Sequence, residues 1–148
     1  MRETFQARVE TCRSGTNPAL ICPLASGWVV LCDMQFLRGY VILLADPVVA
    51  DLNALNQPQR ARFLCDMALV GDALLEVTGA YRINYAIMGN SDPFLHAHIV
   101  PRYLDEPKDQ RKGLPWSYPK DVIDSQQFDA ERDQELIQQI ARTIQARL

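Results

Sequence analysis

Asn84-Tyr-Ala-Ile-Met-Gly-Asn-Ser-Asp-Pro-Phe-Leu-His-Ala-His-Ile-Val-Pro-Arg102 holds both histidines of the chain. In an extended strand successive side chains alternate between faces. Phe94, His96 and His98 therefore share one face, and Leu95, Ala97 and Ile99 the other. The second set is apolar and belongs to a core. The first set places two imidazoles side by side, and it is their joint placement that asks for explanation.

Upstream, Arg82 to Met88 reads as a strand, and Gly89-Asn-Ser-Asp-Pro93 turns the chain into the histidine strand as its hairpin neighbour. Gly27 to Asp33 and Gly39 to Ala45 are β-branched and aromatic runs, apolar on both faces, which predicts adjacent antiparallel strands at the centre of a sheet. Leu20 to Pro23 is a shorter run suited to an edge. Asp46-Pro47 ends the second strand, and Val48 to Leu55 is expected to hold a turn of helix. A long helix follows. Asn56 with Gln59 forms a capping-box pattern, Pro58 fits the first turn, and Gly79 is the expected stop. Phe63, Met67, Val70, Leu74 and Val77 recur at helical spacing and read as a core stripe.

Residues 3 to 13 suggest a short amphipathic helix with Phe5, Val9 and Cys12 on one side. Pro101 is expected to close the histidine strand. Residues 104–124 read as a charged, Pro-rich irregular loop whose Trp116 and Tyr118 are expected as surface anchors or dimer contacts rather than base-stacking groups. A C-terminal helix over 129–148 carries Ile137, Ile140, Ile144 and Leu148 on one side. The expected organisation is one domain over residues 1–148, with a core at 20–103 extended by the loop and the last helix.

Composition narrows the function classes. A net charge of -3 with mixed signs gives no broad basic footprint for extended nucleic acid. With 48% hydrophobic and 22% charged residues the chain resembles ordinary globular proteins, and no apolar run is long enough to span a bilayer. The N-terminal residues lack the apolar segment of a secretory signal, which points to the cytoplasm. Cys12, Cys22, Cys32 and Cys65 form no Cys-x-x-Cys and are expected to be buried free thiols.

A neutral imidazole is a good nucleophile towards phosphorus, and the N–P bond it forms is weak enough for water to break. Its far nitrogen must donate to an acceptor so that the attacking nitrogen keeps its lone pair, and a strand carbonyl suffices. Donors must receive the phosphate oxygens and a proton must reach the leaving group. His98, Ser91 and Asn90 are candidates, and Asn84 is another if its strand is the hairpin partner. Two plainer readings stand beside this one. The histidines are satisfied groups on a half-exposed strand, or His-x-His is part of a metal site, for which zinc requires further ligands that only distant residues supply.

Pro93-Phe-Leu-His-Ala-His-Ile-Val-Pro-Arg102, with Asn84 and Gly89-Asn-Ser91 before it, resembles the His-φ-His-φ-His-φ-φ signature of the histidine triad (HIT) superfamily, φ being apolar, in the form seen in bacterial HIT-domain proteins. The likeness runs from about Trp28 to Arg102 and includes Cys32-Asp33, Arg38-Gly-Tyr40 and the long helix. It implies an α+β fold, an antiparallel sheet of about five strands with one long helix packed on it and a C-terminal helix besides, commonly as a homodimer. It also implies a purine nucleotide as ligand, with neither cofactor nor metal. By the same resemblance His96 is the nucleophile that takes the α-phosphoryl group and His98 a phosphate contact. Ser91 matches a hydroxyl near the leaving group, Asn84 an upstream asparagine, and Asp33 an acidic residue that bonds the ribose.

One departure is plain, because Phe94 occupies the first triad position. Its carbonyl remains available to orient His96, but a polar side chain beside the nucleophile is lost. A missing partner of that kind costs about 1 to 3 kcal/mol, roughly 5- to 200-fold in rate, where it acts in the transition state. The resemblance thus implies a nucleotide hydrolase or transferase, with a nucleotide-binding module of weak or no turnover as the alternative.

Overall fold

The computed structural model describes residues 3–148. Five strands form one antiparallel sheet in the order β1-β2-β3-β5-β4: β1 (Leu20–Leu24), β2 (Gly27–Leu31), β3 (Val41–Ala45), β4 (Arg82–Ala86) and β5 (His96–Arg102). The β-branched run of β3 is buried at every position, which is the expected state of a central strand covered on both faces. Register is set by pairs such as Leu44↔His96 and Ile42↔His98 on one side of β5 and Ala86↔His98 on the other.

Helices cover both faces. On one face α2 (Gln57–Thr78) and α5 (Gln134–Gln145) pack Phe63, Val70, Leu74, Ile140 and Ile144 against Val29, Leu43, Ala97 and Ile99. On the other, α1 (Phe5–Ser14) packs Val9 and Cys12 against Val30, Ile42 and Leu44. The capping box at Asn56 and Gln59 forms, and Gly79 ends α2 with φ 70°. At Gly27 a Cβ would lie 1.8 Å from the Leu44 carbonyl oxygen, so the β1–β2 turn admits no side chain there.

Several expectations are corrected. Pro101 lies inside β5, paired with Ile83, two residues beyond the last β3 pair, Val41↔Ile99, so its missing N–H costs no bond to β3. Residues 104–124 are not irregular. They fold into α3 (Lys108–Lys112), a 3₁₀ turn at Pro115–Ser117 and α4 (Lys120–Ser125).

The reason is Arg102, whose side chain is 2% exposed. It donates to Glu106 at 3.0 Å, to the carbonyls of Gln110 at 2.7 Å and Gly113 at 2.8 Å, and to Asn84 Oδ1 at 2.8 Å.

α5 begins at Gln134 and not near 129, because the fully buried Asp133 holds the Asp129 N–H and pairs with Arg38 and Arg132. Leu148 lies past its end and is 75% exposed. Cys12, Cys22 and Cys32 are buried, but Cys65 is exposed on α2. Among the described residues no helix is long and apolar enough to cross a membrane.

Candidate functional site

A cavity of about 480 Å³ opens over the histidine face of β5, lined by Phe5, Met34, Tyr40, His96, His98, Trp116 and the turn Met88 to Asp92. A larger cavity of about 790 Å³ lies between Arg38, Tyr118 and α5 and contains neither histidine. The smaller one holds both imidazoles.

His96 is 4% exposed. Its Nδ1 lies 2.6 Å from the Phe94 carbonyl oxygen. A carbonyl only accepts, so Nδ1 carries the proton and Nε2 holds the lone pair in the neutral ring. Burial pushes the imidazole below its ordinary value of 6.5, outweighing the opposite pull of the bond to Phe94 and of the Asp92 charge. His96 is thus held in the state a nucleophile needs.

The second imidazole stands edge-on to the first, with ring centres 5.0 Å apart. His98 Nδ1 is 2.6 Å from the hydroxyl of Tyr40, a fully buried residue just before β3. Tyr40 is fixed in turn by the connection between β2 and β3. There the buried Gln35 amide donates to the carbonyls of Cys32 at 2.9 Å and Tyr40 at 2.8 Å, and its oxygen accepts the Gly39 N–H at 3.0 Å.

The sequence-predicted residues divide. His96, His98, Ser91 and Asn90 line the one cavity, the last two as exposed residues of the turn. Three others do not line it. Phe94 lies before β5 begins, and its carbonyl reaches His96. Asn84 shares the histidine face of the sheet but sits opposite Val100, where its side chain is taken up by Arg102. Asp33 forms an ion pair with Arg8 of α1.

Phe5, Met34, Tyr40 and Trp116 are among the lining residues that the sequence did not single out. Phe5 stacks on His96 with ring centres 4.0 Å apart and an interplanar angle of 27°. Trp116, expected as a surface anchor, stands edge-on to His98 at 5.3 Å. Tyr118 does act as an anchor, packing on Phe36 and donating to Glu106 at 2.6 Å. The apolar side of the α1 pattern pointed towards a contact for Phe5 without naming it. Nothing local marks Trp116, because Arg102 brings it in from a distance.

Among the described residues no group of three or more His, Cys, Asp or Glu is arranged to hold a metal ion.

No protein-family model matches the chain, and no curated protein matches its sequence. Solved structures do match. A histidine triad protein from Bradyrhizobium japonicum is 25% identical, with 84% of this chain and 89% of that one covered, at a TM-score of 0.68. A hypothetical histidine triad nucleotide-binding protein from Sulfolobus tokodaii is 14% identical over 93% and 91% of the two chains, with a TM-score of 0.70. The diadenosine triphosphate hydrolase of Plasmodium falciparum is 14% identical over 88% and 78%, with a TM-score of 0.60. The five-stranded sheet with its helices is the fold of the histidine triad proteins.

Proposed function

We propose that the chain is a histidine triad protein in which Phe94 replaces the first histidine, and that it acts on the α-phosphate of a nucleoside phosphoramidate or dinucleoside polyphosphate. The observation that carries this reading is the state of His96, with its Nδ1 proton given to the Phe94 carbonyl at 2.6 Å inside a cavity shared with His98 and Ser91. The neighbouring fold supplies the ligand class, since a structure of this fold is described as nucleotide-binding and another as a hydrolase of diadenosine triphosphate.

In the first step His96 Nε2 attacks the α-phosphorus, an N–P bond forms, and the bond from phosphorus to the leaving amine or phosphate breaks. A proton reaches the leaving group from the Ser91 hydroxyl side of the cavity. With the Tyr40 hydroxyl donating to Nδ1, His98 carries its proton on Nε2 and donates it as a hydrogen bond to a phosphate oxygen, aided by Asn90 and the turn amides. Water then attacks phosphorus and gives up a proton that replaces the one passed to the leaving group, the N–P bond breaks, and the nucleoside monophosphate leaves as His96 returns to neutral. Neither cofactor nor metal takes part.

Asp33 serves the ribose in this reading only as one member of the pair with Arg8, and Asn84 acts through Arg102. The same reading carries a purine base, a homodimer and a place in the cytoplasm. Sedimentation tests the dimer.

Incubation with an adenosine phosphoramidate and with a dinucleoside polyphosphate, followed by intact-mass measurement, tests the chemistry. A nucleotidyl adduct on His96 or released monophosphate, both absent in His96→Ala, is the expected result. Saturable nucleotide binding with neither product favours the second reading, a binding module, which the hydrophobic Phe94 position motivates. Failure to bind nucleotide removes both.

A further inference from the structure

We infer that Phe5, in the first turn of α1, is a positioning residue for His96, stacking on the imidazole and holding its plane in the place that Phe94 does not fill. The inference rests on the reading of His96 as nucleophile. One hydrogen bond to the Phe94 carbonyl fixes one ring atom and leaves the ring free to tilt about that contact. A near-parallel aromatic neighbour at 4.0 Å removes the remaining freedom on one face. Stacking covers the face of the ring and leaves its edge open, and the Nε2 lone pair lies in the ring plane. Phe5 therefore restrains and desolvates His96 without standing in the line of attack.

Phe5 is itself held from several sides. Its N–H donates to Asp92 Oδ2 at 3.0 Å, which ties the start of α1 to the turn before β5. One helical turn on, Arg8 pairs with Asp33, and its guanidinium lies 5.5 Å from the Phe5 ring centre. Val9 and Cys12 are buried against the sheet, and Arg13 Nε donates to Asp46 at 2.9 Å. α1 is thus fastened along its length, and Phe5 is its reach into the site. Among the described residues the charged and titratable groups around His96 are Asp92 in the turn, Arg8 with its partner Asp33, and His98, which is backed by Tyr40. Leu44, its partner in β3, adds no charge.

The chain holds only two histidines, so proton NMR titration resolves both. Wild type, Phe5→Ala, Phe5→Leu and Phe5→Tyr are titrated without substrate and assayed with a nucleoside phosphoramidate. In Phe5→Ala the His96 midpoint is expected to rise towards 6.5, more than that of His98. The acid limb of turnover moves with it, and kcat falls about tenfold or more with KM within about threefold, the pattern of a misoriented nucleophile. Phe5→Tyr keeps the stack and restores both readouts. Phe5→Leu keeps an apolar side chain without the stack and shows the kcat loss even if the alanine variant folds poorly. An unmoved His96 midpoint with unchanged kcat overturns the inference, and so does a loss confined to KM. If wild type turns nothing over, the proposed function falls, while the titration still decides whether Phe5 sets the state of His96.

Discussion

Arg102→Met removes the centre around which residues 104–118 fold. The guanidinium is 2% exposed and its partner Glu106 carboxylate 5%, so water cannot replace either group in place. Truncation leaves two carbonyls, Gln110 and Gly113, without their donor, and a carboxylate held only by Tyr118 and the Tyr103 N–H. Removing one member of a buried pair costs about 3 to 5 kcal/mol, against about 5 to 15 for a whole domain. At about 2 to 4 °C per kcal/mol for a chain of this size, Tm should fall by about 6 to 20 °C. Glu106→Gln should cost less, and the double variant should show a coupling of about 1 to 3 kcal/mol. Burial pushes the Glu106 carboxyl up, but its bonds from Arg102, Tyr118 and the Tyr103 backbone outweigh this and hold it below 4.5. That stabilisation is present above pH 4.5 and is lost as pH falls through the lower folded value, so Arg102→Met should flatten the acid end of the stability curve. Calorimetry gives Tm, and hydrogen exchange across 104–118 shows whether Trp116 is released from His98. A Tm within about 3 °C of wild type, with unchanged exchange in that segment, refutes the reasoning.

Three further outcomes follow from the geometry. His96 must be neutral to attack, and its folded value is depressed below 6.5 by burial, so kcat/KM should persist as pH falls past 6.5 and its acid limb should lie lower; a limb at or above 6.5 contradicts the assignment. Phe94→Ala should keep turnover within about threefold, because the carbonyl and not the ring orients His96; steady-state assay decides it. Burial pushes the Cys12 and Cys22 thiols up to about 11, and Cys32 is also buried, so a disulfide reagent should titrate one thiol, Cys65, in the native protein and four in denaturant.

The sheet was legible because its signals are local. The apolar runs of β2 and β3, the Asn56 and Gln59 cap and the alternation through His96 and His98 each depend on neighbours a few residues away. The site was half legible for the same reason. Spacing puts two imidazoles on one face, and the turn from Gly89 to Asp92 must lie beside them. What stayed hidden depends on distant pairing. Asp33 and Asn84 looked free to meet a ligand, but Arg8 and Arg102 engage them across 25 and 18 residues of chain. Arg102 itself looked like the charged end of a strand, and its burial is visible only once Glu106, Gln110 and Gly113 gather around it. Phe5 and Trp116 reach the cavity from outside the predicted core, and no periodicity in either segment names His96 or His98 as the neighbour.

The most direct test of the covalent route is the stereochemistry at phosphorus. A nucleoside phosphorothioate substrate, chiral at the α-phosphorus, is turned over in ¹⁸O-labelled water and the configuration of the product is read by phosphorus NMR. Two in-line displacements, first by His96 and then by water, each invert phosphorus, so the product should retain configuration. Net inversion would mean that water attacks the substrate directly, and that His96 never carries the nucleotide.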